Sequence, residues 1–289
     1  MNKIIVIAGP TGVGKTKLSV TLAKKINGEI INADSMQFYK GLNIGTAKIT
    51  EEEKDRIMHH LFDIKDVKEM YTIYDYQKDC RKTIDDILSR GKTPILVGGS
   101  GLYIRAALYD YNLNDENEVQ DFSNLTNQEL YDMCLELDKE CNIHINNRKR
   151  LERFLNMKLN NNSISKDSKP IYDFMIIGLT TDRKNLYEII NKRVDIMISN
   201  GLIDEVKSFY DKNIRSKALM TGIGYKELYS YFDNEITLDD AIDLIKKNSR
   251  HLAKRQYTFF NNQFKMKWFS TNYSNFNETI EEVYNYVKE

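Results

Sequence analysis

The sequence predicts an α/β fold: a P-loop parallel sheet core flanked by helices, with an inserted helical subdomain. Three observations carry that expectation. An apolar run, IIVIA, ends in a glycine-rich turn and leads into a helix-period stretch. Further short apolar runs alternate with such stretches, the pattern of a parallel sheet covered by helices. A polar, Asn-rich segment then breaks the alternation. The expected organisation is a core of residues 1–110 and 171–289 around an insert of 111–170.

Residues 4–8 form the first expected strand. The following GPTGVGKT, residues 9–16, fits G-x-x-x-x-G-K-[ST], a phosphate-binding loop. Gly9, Gly12 and Gly14 let successive amides face an anion at the positive end of the next helix, with Pro10, Thr11 and Val13 between them. Lys15 adds a point charge, and the Thr16 hydroxyl is placed to hold Mg²⁺. Leu18, Leu22 and Ile26 then recur at helical spacing. A second strand, EIINA, runs into Asp34 and Ser35. Residues 72–90 read as an amphipathic helix, and TPILVGG (93–99) as a buried strand closing on Gly98, Gly99 and Ser100. In a parallel sheet, ligands lie outside the carboxyl ends of the strands, so the loop, Asp34 and Ser100 should meet in one crevice.

Asp34 is the acid best placed to take a proton from a nucleophile, and an Asp that merely caps a turn is the bland alternative. Ser100 orients a substrate or caps the next helix. The insert is expected to be helical, with a loop-like run NNNSISKDSKP at 160–170. The sheet should resume at YDFMIIGL (172–179), followed mainly by helices near 183–199, 201–212 and 238–260.

Composition excludes several classes. The 289 residues suit one large domain or a domain with an insert, and 41% hydrophobic residues are enough for a packed core. Lys and Arg balance Asp and Glu, so a globally basic nucleic-acid coat is excluded while a local basic face is not. Cys80, Cys134 and Cys141 are too few and too irregular for a disulfide framework or a zinc knuckle, and Cys134 and Cys141 read as paired core positions in a helix-like stretch. His59 and His60, if on one helix, point in different directions and make a poor metal pair. IIVIA is too short for a signal peptide or membrane span, which points to a soluble cytoplasmic protein.

A nucleotide hydrolase usually adds an apolar strand ending in Asp. Here ILVGGSG ends in small residues, which disfavours a motor or switch ATPase and leaves group transfer from a bound phosphate. In the 238–260 helix, Ala241, Leu244, Ile245, Leu252 and Tyr257 leave an apolar side, and Lys247, Arg250, Lys254 and Arg255 share the remaining surface. Arg148, Lys149, Arg150 and Arg153 form a second basic cluster, in the insert. Two such patches suit a large polyanion. A small-molecule kinase using ATP, and an RNA-binding module with a vestigial loop, stay open as other readings of these residues.

Together the motifs resemble the tRNA dimethylallyltransferase family, in its bacterial form. The stretches that carry the resemblance are GPTGVGKT, ADSMQFYKGLNIGTAK, HHLFDI, ILVGGSGLYI, KRLERFL, RVDIMISNGLIDEV, GIGYKEL and LAKRQYTFF, in order from residue 9 to about 260. The resemblance implies transfer of a dimethylallyl group from dimethylallyl diphosphate to N6 of the adenosine 3′ of the anticodon, in tRNAs reading codons that begin with U. It implies Asp34 as general base, Ser100 holding the amine, and Lys15, Thr16 and Mg²⁺ stabilising the leaving diphosphate. Residues 34–37 (Asp34, Ser35, Met36, Gln37), Ser100 and the Lys149, Arg150 and Arg153 stretch correspond to tRNA contacts. The basic helix residues Arg250, Lys254 and Arg255 are expected to join them, and a monomer is implied. The chain departs from the family pattern at Ser100, where Thr is common, and at Thr221, where Arg or Gln is common. INNR at 145–148 stands where the family favours a PNDP-like turn, and Phe259 or Phe260 and Asn261 replace an often seen Trp-Phe-Arg ending.

Overall fold

The computed structural model describes residues 3–111, 113, 120–160 and 169–289. The chain divides into two compact units, Met1–Leu108 with Tyr172–Glu289, and Tyr109–Ile171. The first unit begins with β1 (Ile4–Ala8), α1 (Lys15–Ile26), β2 (Gly28–Asn32), the short α2 (Glu51–Lys54) and β3 (His59–His60). α3 (Ile73–Ser89), β4 (Thr93–Gly98) and α4 (Gly101–Leu108) follow. The second unit carries α5 (Asn127–Leu137) and α6 (Arg148–Leu159). The first unit then resumes with β5 (Phe174–Thr180), α7 (Arg183–Ser199), α8 (Leu202–Tyr210), α9 (Lys217–Thr221) and α10 (Tyr225–Phe232). α11 (Leu238–Gln263), β6 (Lys267–Ser270) and α12 (Phe276–Lys288) complete it.

The strands pair in parallel in the order β3-β2-β4-β1-β5-β6. Ile5 of β1 stands opposite Ile95 on one side and Met175 on the other. Every residue of β1 is buried, which is why it reads as an unbroken Ile/Val run: helices cover both faces of a parallel sheet. The chain leaves β1 toward β2 on one side and returns to β5 on the other. Loops therefore diverge at the carboxyl end of β1 and open a crevice there. Behind the sheet, Ile7, Leu18, Leu22 and Ile177 pack with Ile280 and Val283 of α12 in one core. Each contributes roughly 1.5–3 kcal/mol by leaving water. Helix starts are written locally: Thr72 with Asp75, Thr126 with Glu129 and Thr237 with Asp240 form reciprocal capping boxes.

Several expectations change. His59 and His60 lie not on a helix but in β3, opposite Ile30 and Ile31. Glu29 draws them in, because its carboxylate pairs with His60 Nε2 at 2.7 Å, and Ile30 N–H donates to Met58 O. On α11, Ala241 and Ile245 are buried, but Leu244 is 36% exposed, because one step off the buried row turns a side chain about 100° around the helix. β6 adds a parallel edge strand after the helices. In the second unit, Leu130, Cys134, Leu151 and Leu155 form a separate core, which Cys141 joins from beyond the end of α5 rather than from the same helix. Most of the run expected as a loop at 160–170 lies outside the described residues. No helix among the described residues is long and apolar enough to cross a membrane.

Candidate active site

The glycine-rich loop, Asp34 and Ser100 line one cavity of about 770 Å³ at the carboxyl ends of β1, β2 and β4. The loop takes a left-handed turn at Gly14, where φ is 90° and the residue serves as N-cap of α1. A Cβ there would also meet the Phe276 ring at 2.5 Å, so only glycine fits. From behind, Thr271 Oγ1 donates to Val13 O at 2.9 Å.

Lys15 folds back over the loop, and its Nζ donates to Gly9 O at 3.0 Å and Pro10 O at 2.6 Å. Burial pulls its pKa down to about 7, the positive charge of Arg193 adds to that, and the Asp34 carboxylate acts against both. Thr16 stands exposed at the first turn of α1, and its hydroxyl makes no hydrogen bond among the described residues.

Asp34 both caps a turn and faces the cavity. Its Oδ1 accepts the Met36 N–H at 3.0 Å, and its own N–H donates to Asn32 Oδ1 at 2.9 Å. Oδ2 takes no hydrogen bond among the described residues, so one oxygen holds the turn and the other is open to a ligand. Ser100 ties this turn to the next: its Oγ accepts the Ser35 N–H at 3.2 Å, while its carbonyl accepts the Ile104 N–H and starts α4. Ser35 and Met36 also line the cavity. Gln37 lines it too, with Nε2 donating to Thr46 O at 3.0 Å. That bond holds a wall segment which Glu205 grips from α8: its carboxylate accepts the amides of Asn43, Ile44 and Gly45.

Two residues in this cavity were not singled out from the sequence. Arg193 interrupts the apolar stripe of Leu186, Ile190 and Val194 on α7 and lines the cavity. Its guanidinium makes no hydrogen bond among the described residues. Burial lowers its pKa, and Asp34 and Glu53 oppose that shift. A cation so enclosed is costly to hold until an anion joins it. Gln256 lies between Ala253 and Phe260 on the buried side of α11; its Oε1 accepts the Thr11 N–H at 3.1 Å and its Nε2 donates to Gly99 O at 3.2 Å. In both cases the signal was a polar side chain on an apolar helix face. Thr221 also lines the cavity, but its hydroxyl donates to Lys217 O at 2.7 Å and it supplies no cation.

The basic residues divide. Lys247, Lys254 and Arg255 are exposed on α11, and Arg255 reaches the cavity wall. Arg250 does not share that open surface: its Nη1 donates to Asn191 Oδ1 at 2.6 Å and it lies over the Tyr187 ring. In the second unit Lys149, Arg150 and Arg153 are exposed along α6. Arg148 turns inward to the carbonyls of Leu125 and Phe122 at 2.7 and 2.6 Å.

The sequence profile of the IPP transferase family matches residues 37–263. The chain belongs to the IPP transferase family. The profile starts just after the loop and Asp34, but full-length members extend the likeness across both. The tRNA dimethylallyltransferase of Anoxybacillus flavithermus is 45% identical over 299 residues, covering 99% of this chain and 96% of that protein. The protein of the same name from Bacillus subtilis is 45% identical over 282 residues, covering 92% and 90%. Among solved structures, the full-length tRNA isopentenylpyrophosphate transferase of Bacillus halodurans superposes with a TM-score of 0.79 at 42% identity, covering 100% of this chain and 96% of that one. A eukaryotic dimethylallyltransferase, described as acting on tRNA, matches with a TM-score of 0.79 at 28% identity over 97% of this chain and 77% of that one.

Proposed function

We infer that this transferase moves a dimethylallyl group from dimethylallyl diphosphate to N6 of the adenosine just 3′ of the anticodon in tRNA. The relatives' names support the substrate class. The observation that carries the reading is one cavity in which an anion cradle, with Lys15 and Arg193, faces the open oxygen of Asp34. Such a site separates the two charges that the reaction creates.

The amine nitrogen attacks the first carbon of the dimethylallyl group as the bond to the diphosphate oxygen breaks. The leaving group keeps the electron pair, and the loop amides, Lys15 and Arg193 stabilise its charge. Asp34 Oδ2 accepts the proton that N6 loses. Ser100 holds the Asp34 turn in place through the Ser35 amide. The open Thr16 hydroxyl fits Mg²⁺, which commonly takes one or two protein oxygens beside substrate phosphates and water. Bound there, Mg²⁺ would supply further charge neutralisation for the diphosphate. The adenine must leave its stack to enter the cavity, at a cost of about a few kcal/mol. Phosphate contacts from Lys254 and Arg255, and from Lys149, Arg150 and Arg153, offset that cost. On this reading the enzyme works as a cytoplasmic monomer. Mass spectrometry of tRNA from cells with and without the gene tests it: the prenyl group on that adenosine should vanish with the gene, and unchanged tRNA would refute the assignment.

A further inference from the structure

We propose that Gln256 is a positioning residue: a strut that fixes the distance between the phosphate cradle and the side of the cavity where the acceptor is held. Three loops form the site, each at the end of a different strand, and two side chains tie them together. Ser100 joins the Gly99–Ser100 turn to the Asp34–Ser35 turn. Gln256 joins that same turn to the phosphate loop, using both ends of one amide: Oε1 on the Thr11 N–H and Nε2 on Gly99 O. No other side chain among the described residues takes the Thr11 amide. Its commitment withdraws one loop N–H from the anion and leaves the cradle to the amides that follow.

The fit around the strut is tight. A Cβ on Gly99 would overlap the Gln256 amide, so the glycine is what lets α11 approach this closely. Gln256 lies on a helix, which holds a side chain more rigidly than a loop does. Because the strut touches neither leaving group nor amine, its loss should alter how well the two are aligned more than how tightly either binds. A displacement of about 1 Å between reacting groups costs on the order of 10²-fold in rate.

This inference rests on the prenyl-transfer reading for its kinetic arm and on hydrogen exchange for an arm independent of the reaction. Amide exchange by NMR on wild type and Gln256→Leu should find Thr11 protected in the first and released in the second. Equal protection would overturn the strut whatever the reaction is. Single-turnover prenyl transfer at saturating donor and tRNA should fall roughly 10–10²-fold in Gln256→Leu, with donor and tRNA dissociation constants within about threefold of wild type. A variant that merely folds poorly would lose turnover amplitude rather than rate. Gly99→Ala should slow transfer by displacing the Gln256 amide. Combined with Gln256→Ala, it should cost little beyond Gln256→Ala alone, because the overlap is then gone. An unchanged rate in Gln256→Leu, a loss confined to donor affinity, or full additivity of the pair would overturn the proposal. Release of Thr11 in Gln256→Leu, alongside a wild type that transfers no prenyl group, would instead sink the reaction assignment and leave the strut standing.

Discussion

Asp34 spends one carboxylate oxygen on its own turn and leaves the other without a hydrogen bond among the described residues, so the turn and the proposed role as base can be separated experimentally. Asn keeps an oxygen for the Met36 amide but cannot take a proton. Asp34→Asn should therefore lower single-turnover transfer roughly 10²–10⁴-fold while tRNA affinity stays near wild type. A wild-type rate would remove Asp34 as the base. Lys15 gives a pH prediction. Its pKa is about 7, and an arriving anion raises it, so binding above pH 7 takes up a proton. The affinity for inorganic diphosphate should fall as pH rises from about 7, by up to tenfold per unit, beyond whatever the same titration gives for Lys15→Met. Superimposable pH profiles would contradict this. The folded pKa lies below the unfolded one, so the unfolded chain binds more protons between these values. The stability of the protein without added ligand should accordingly rise with pH across that window. Asp34 and Ser100 were legible in the sequence because a polar residue just past an apolar run marks a strand end. Arg193 and Gln256 were not, because their helices show only that they lie on apolar faces. Whether such a residue is a satisfied core group or a cavity group depends on what the face packs against.

Long, strongly patterned elements were the readable ones: the buried strands at 93–98 and 174–180 and the helices at 73–89 and 183–199 all lie within a few residues of the expectation. β3 and β6 escaped because two and four residues are too few to show a period of two, and their place in the sheet is set by partners far away in sequence. β2 illustrates this long-range control. Glu29, at its end remote from the cavity, is 2% exposed, and hydrogen bonds from Arg90 above all, then from Lys92 and His60, hold its carboxyl well below the usual range despite burial. A depressed carboxyl stabilises the fold above its unfolded value near 4.5, and that contribution is lost as pH falls through the folded value. Glu29→Gln should cost about 1–3 kcal/mol at pH 7, discounted because its partners are partly solvated, and less at pH 3. Thermal melts at the two pH values check this; an equal loss at both would mean that charge is not what the site uses. On α11, replacing Lys254 and Arg255 by Gln should weaken tRNA binding and flatten its log–log salt slope by roughly 0.7–0.9 for each phosphate no longer neutralised. An unchanged slope would take this helix out of the interface.

The chain as a whole separates its tasks: the sheet unit builds the cavity, and the insert carries a core and a basic helix of its own. The expected insert of 111–170 and the observed unit Tyr109–Ile171 differ by two residues at the start and one at the end. The composition shift marked the insert, whereas nothing in the sequence could say that Arg148 would turn inward while its neighbours stayed exposed. The identity of the ligand held by the loop decides the reaction, and GPTGVGKT by itself reads equally well for ATP. The deciding measurement is a single-turnover reaction of the purified protein with an unmodified anticodon stem-loop and Mg²⁺, offering dimethylallyl diphosphate or ATP, with the RNA analysed by mass spectrometry. With dimethylallyl diphosphate one prenyl unit should appear on the adenosine 3′ of the anticodon and one diphosphate should be released; with ATP the RNA should not change. Unmodified RNA with the prenyl donor, alongside consumption of ATP, would contradict the prenyl-transfer reading.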